Sequence, residues 1–145
     1  MLLVKLHAAS GILGLLLILA FFLSTVASEL SGDAEPNVSV KSWIVDMIPL
    51  LVLLPAGSGA GGNYLGRGRR EAEIGWKRLR MLAAAINGVF ILIPCALALK
   101  GWAVAGEFGG RFSALQAIKL VAGAWNIALL GYNLRDGLRL RRRGR

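Results

Sequence analysis

LHAASGILGLLLILAFFLSTVA, residues Leu6–Ala27, carries no Asp, Glu, Lys or Arg and supplies the ~20 mostly apolar residues a helix needs to cross ~30 Å of hydrocarbon. Three further stretches of the same kind follow, and spans are predicted at about 6–28, 42–62, 81–104 and 112–134. The residues between them give the direction of crossing. Of the 17 lysines and arginines, all but Lys41, Lys100, Arg111 and Lys119 fall in three places: Lys5, the loop GRGRREAEIGWKRLR (Gly66–Arg80) and the tail Arg135–Arg145. Four crossings put all three on one side and the acidic loop ELSGDAEPN (Glu29–Asn37) on the other, as the positive-inside rule requires. The expectation is an all-α polytopic membrane protein, a four-helix bundle. Its 145 residues form one membrane domain, with a basic cytoplasmic loop over 63–80, a basic cytoplasmic tail over 135–145 and both termini inside.

A secretory signal peptide competes for the first segment, with Lys5 as its basic start and Ala27 and Ser28 near a cleavage point. The apolar run is longer than the usual signal core, and losing it leaves an odd number of spans. A retained span is therefore expected.

Composition agrees with this reading. The chain is 56 % hydrophobic and 17 % charged, with a mean hydropathy of +0.62, too apolar for an ordinary soluble domain of its size. The +9 net charge invites a nucleic-acid reading, but the basic residues flank apolar runs instead of lining a folded face, so no nucleic-acid partner is expected. The single cysteine, Cys95, lies in an apolar stretch beside Pro94 and cannot form an internal disulfide.

Polar residues within spans mark the inward faces, because they are costly against lipid. In the fourth span Gln116, Lys119, Gly123, Asn126 and Asn133 recur on one helical stripe, with Ile118, Val121 and Leu129 opposite. In the first, His7, Gly11, Gly14, Thr25 and Ser28 give a weaker version. The second holds Asp46, the helix-disturbing Pro49 and Pro55, and the small-residue run Gly57–Gly62. Counting from the assumed span starts, Asp46 and Lys119 lie at similar depth, and an intramembrane ion pair or ion site between them is expected. A second polar cluster is expected towards the basic side from His7, Ser58, Asn63, Asn87 and Asn133. The aromatic residues Trp43, Trp102, Phe108 and Phe112 are placed at the outer boundary, and Tyr64, Trp76 and Tyr132 at the inner one.

Several signals carry little. Gly57, Gly59 and Gly62 match the spacing of the dinucleotide-binding glycines but end a membrane span instead of joining a strand to a helix. Haem ligation by two histidines is impossible with one histidine, and His7 with Met81 would enclose a haem poorly, so no cofactor is expected. No residue set has zinc spacing or forms a nucleophilic trio. Neither a catalytic nor a metal site is expected.

The strings RLRMLAAAINGVFILIPCALALK (Arg78–Lys100), LQAIKLVAGAWNIALLGYNLRDG (Leu115–Gly137) and KLHAASG (Lys5–Gly11) resemble a group of small, uncharacterised bacterial four-helix membrane proteins. The resemblance implies a multi-pass protein of the bacterial inner membrane and assigns no activity. With 19 glycines and short loops, the expected role is non-catalytic: an accessory or scaffolding subunit that packs against another membrane protein or itself, in contact with membrane lipids. The alternative is a small oligomeric transporter or channel-like protein that uses Asp46 and Lys119.

Overall fold

A chain crossing hydrocarbon must satisfy its backbone donors and acceptors within each segment, and long apolar runs do so as helices. The computed structural model describes residues 2–65 and 72–143, with side chains for 6, 8–54, 56–57 and 75–139. Those residues form α1 (Leu2–Ser31), α2 (Ala34–Asp46), α3 (Ile48–Leu65), α4 (Ala72–Asn87), a π-helical segment (Gly88–Leu92), α5 (Ile93–Val104) and α6 (Gly110–Arg143). No strand occurs among them.

Ala8–Ser31, Gly75–Val104 and Gly110–Arg139 are each long and apolar enough to cross a membrane. A fourth crossing results if α2 and α3, bent by 44°, count as one broken span. The chain is thus a helical protein with three to four candidate membrane spans.

Each break has a local cause. Pro49 has no N–H and its ring excludes the carbonyl of Val45, so the second leg bends at Met47 while the Met47 N–H still reaches Trp43 O at 3.1 Å. Pro94 imposes the same conflict on the third leg, where the ladder loosens into a π turn that carries the Ile93 N–H to Gly88 O. At the α1–α2 and α5–α6 turns the backbone becomes left-handed, and both residues there are glycine: Gly32 at φ 72° and Gly106 at φ 75°. The second turn closes as a Schellman motif, with Glu107 N–H on Trp102 O at 2.8 Å and Gly106 N–H on Ala103 O at 3.1 Å.

Two boundaries differ from the sequence reading. The expected outer loop Glu29–Asn37 is helical apart from Gly32 and Asp33, so the second leg starts at Ala34 instead of near residue 42. The expected basic loop is helical at 63–65 and from Ala72 onward, and the basic tail continues α6 to Arg143. Residues 66–71 lie outside the described part.

Around the bundle, α1 packs against α2, α3 and α6; α2 also packs against α5; α6 packs against α4 and α5. Phe21, Ile44 and Ala96 meet at one level, with Trp43 edge-on to Phe21 at 5.1 Å between ring centroids. Nearer the Gly32 and Gly106 turns, Leu99, Ala103 and Phe112 form a second apolar layer. Phe112, expected at the lipid boundary, is a core residue. Large apolar side chains such as Leu23, Phe90, Val121 and Trp125 face outward. Such an apolar exterior suits lipid or another protein better than water.

Candidate functional site

Helical spacing brings polar side chains together beneath the Gly32 and Gly106 turns. Thr25, Ser28 and Glu29 occupy one face of α1, Asn37 and Lys41 one face of α2, and Gln116 and Lys119 one face of α6. Lys41 is the centre of the first half. It is 1 % exposed, and its ammonium donates to Glu29 Oε1 at 2.7 Å and Asn37 Oδ1 at 2.8 Å while standing 5.0 Å from the centroid of the Phe112 ring. Asn37 Nδ2 donates to Ser28 O at 2.9 Å and Asp33 O at 3.1 Å. Ser28 Oγ lies 3.0 Å from Thr25 O and 3.3 Å from Asn37 Oδ1. The charge of Lys41 is therefore paired and its donors are largely satisfied.

The α6 half is not. Lys119 is 9 % exposed and its ammonium has a single hydrogen bond among the described residues, to Thr25 Oγ1 at 3.5 Å. Gln116, one turn nearer the Gly106 turn, is 3 % exposed, and neither its Oε1 nor its Nε2 has a partner among the described residues. Buried polar groups in folded proteins are nearly always hydrogen-bonded, so these two neighbours stand out.

Asp46 and Lys119 do not form the expected pair. Asp46 accepts from Lys100 Nζ at 3.2 Å, and its side chain is 65 % exposed on the outside of the bundle. Because the second leg starts at Ala34, Asp46 lies about 18 Å along it at ~1.5 Å per residue, deeper than assumed and turned away from α6.

The inner polar cluster is likewise divided. Asn87 Nδ2 donates to Ala122 O at 2.9 Å and Asn126 Oδ1 at 2.8 Å, and Asn126 Nδ2 donates to Ala84 O at 3.2 Å, tying α4 to α6. Asn133 sits about two turns further along α6 and donates to Lys77 O at 3.2 Å. Beyond it, Arg80 and Asp136 form an ion pair at 2.5 Å. The side chains of His7, Ser58 and Asn63 lie outside the described ones, so no contact from His7 towards Met81 is described.

Sequence reasoning missed Lys41, Asn37 and Glu29 as interior residues. A signal was present: Asn37 and Lys41 are four residues apart, the spacing of one helical face. Among the described residues no group of three His, Cys, Asp or Glu side chains is placed to hold a metal ion. No protein-family model, curated protein or solved structure matches the chain.

Proposed function

We propose that the chain is a four-span protein of a bacterial inner membrane, with its basic segments in the cytoplasm, and that it works as a non-catalytic accessory or scaffolding subunit bound to another membrane protein or a second copy of itself. The observation that carries this reading is the Asp46–Lys100 pair, held at 3.2 Å on the exterior with Asp46 65 % exposed. Ionisable groups within spans face a bundle interior, a wet cavity or a partner, because hydrocarbon solvates them poorly. A second protein surface laid over Asp46 and Lys100 removes that cost. The remaining interior polar contacts support a structural role: Asn87 and Asn126 bind backbone carbonyls across a helix junction, a common glue in membrane bundles.

A photo-crosslinking residue at Leu50, exposed one turn beyond Asp46, tests the reading in native membranes, with Val121 on α6 as the comparison site. Stoichiometric adducts to one protein, or to the chain itself, from Leu50 but not Val121 are expected. They should weaken when Asp46→Asn is combined with Lys100→Met. Lipid adducts alone at Leu50, with a monomer by native mass spectrometry, would overturn it.

A further inference from the structure

The geometry points to a binding site for a small monovalent anion, of the halide or nitrate class, between α1 and α6, held by Lys119, Gln116 and the hydroxyl of Thr25. Two buried ammonium groups, Lys41 and Lys119, share this cluster with one carboxylate, Glu29, which is taken by Lys41 at 2.7 Å. No carboxylate among the described residues lies within ion-pair distance of Lys119. Its one hydrogen bond, 3.5 Å to Thr25 Oγ1, is long for an ammonium and uses one of three N–H donors. A positive charge in a bundle interior is left without a counter-charge, the arrangement folded proteins avoid.

The second observation is independent of the lysine. Gln116 is 97 % buried, three residues earlier on the same face, and its amide is unpartnered at both ends among the described residues. Residues three apart on a helix are surface neighbours, so Gln116 and Lys119 lie side by side on one stripe of α6. Thr25 adds another: its Oγ1 accepts from the lysine, and its hydroxyl carries one O–H donor of its own. Ammonium, amide N–H and hydroxyl together are donors awaiting an acceptor.

Water would meet the hydrogen-bonding need and leave the charge. A cation would be repelled by Lys119. An anion supplies both the missing counter-charge and an acceptor for the N–H donors, and a single uncompensated charge calls for a monovalent one. The apolar layer of Leu99, Ala103 and Phe112 beside the cluster disfavours strongly hydrated species such as sulfate, since entry requires shedding that water.

The test follows thermal unfolding of the full chain in lipid nanodiscs as chloride, then nitrate, replaces gluconate at constant ionic strength. The unfolding temperature of the wild type is expected to rise and saturate with either anion. Lys119→Met should abolish the dependence, and Gln116→Leu should raise the half-saturating concentration ~tenfold, the effect of losing one hydrogen bond to a charged group. Arg139→Gln, which removes a charge from the exterior, should leave it intact. Identical unfolding in every anion, the result expected of water alone or an uncharged lysine, overturns the proposal, as does an anion dependence that survives Lys119→Met. Should Lys119→Met fail to fold, chlorine NMR line broadening decides: saturable broadening by the wild type that weakens in Gln116→Leu supports the site, and its absence overturns it.

Discussion

Lys41 Nζ and Glu29 Oε1 stand 2.7 Å apart across the Gly32 turn, with the lysine almost wholly withdrawn from the surface. The pair joins α2 to the last turn of α1, and the lysine is more deeply enclosed than the glutamate. Removing the acid is therefore costlier than removing both charges. Glu29→Gln should destabilise the fold by roughly 3 kcal/mol, the low end for breaking a buried pair because Glu29 is partly exposed. Glu29→Gln with Lys41→Met should recover most of the loss. Equilibrium unfolding in mixed micelles of the two single variants and the double variant measures the coupling, and strict additivity would contradict the pair's role.

Asn87 and Asn126 form the principal polar joint between α4 and α6, each also holding a backbone carbonyl of the opposite helix. Asn126→Leu should cost about 1 kcal/mol, two bonds at the ~0.6 kcal/mol typical of membrane proteins. With Asn87 already replaced by Leu, the same substitution should cost less. Unfolding of the double-mutant cycle checks both numbers.

Two glycines on α6 should respond differently to added bulk. A Cβ at Gly123 would meet Phe22 Cδ2 at 3.4 Å, whereas one at Gly137 would meet the mobile end of Lys77, Nζ at 3.3 Å. Gly123→Leu should separate α1 from α6 and cost ~1–3 kcal/mol, as overpacking does. Gly137→Ala should lie within about 0.5 kcal/mol of the wild type because the lysine head can move aside.

Gly32 offers a purely conformational test. Nothing lies within 4 Å of a Cβ built there, yet its φ is 72°. Gly32→Ala should cost about 1 kcal/mol from backbone strain alone, and Gly32→Asn less, since asparagine tolerates the left-handed region. Equal stability of the two variants would mean that the turn relaxes to another conformation.

How far these features can be read from sequence depends on what sets each of them. The polar face of α6 is legible because Gln116, Lys119 and Asn126 recur at helical intervals within one unbroken apolar run. The start of α2 is not, because Ala34, Glu35, Pro36 and Asn37 have the composition of a loop. That segment is held as helix by long-range contacts, including Asn37 to Ser28 O. This one boundary shifts every depth estimate on the second leg by about 12 Å at ~1.5 Å per residue. It accounts for both the missed burial of Lys41 and the misplaced partner of Asp46. The unpartnered amide of Gln116 was out of reach for a different reason: a residue's position shows that it faces inward, but only the packed neighbours show what it fails to meet.

The π turn over Gly88–Leu92 acts as a one-residue insertion in the third leg. Ala84 and Ala103, both buried, are separated by five α-helical turns, about 18 residues, plus one extra. The surplus residue brings Ala103 back into phase with Ala84. Chain length here is thereby tied to Pro94. A deletion within Gly88–Leu92 that keeps the proline has no slack to absorb its ring and must kink. The same deletion with Pro94→Ala yields a continuous α-helix with every downstream side chain on its original face. Descendants of such a chain can lose the residue and the proline together, but scarcely one at a time.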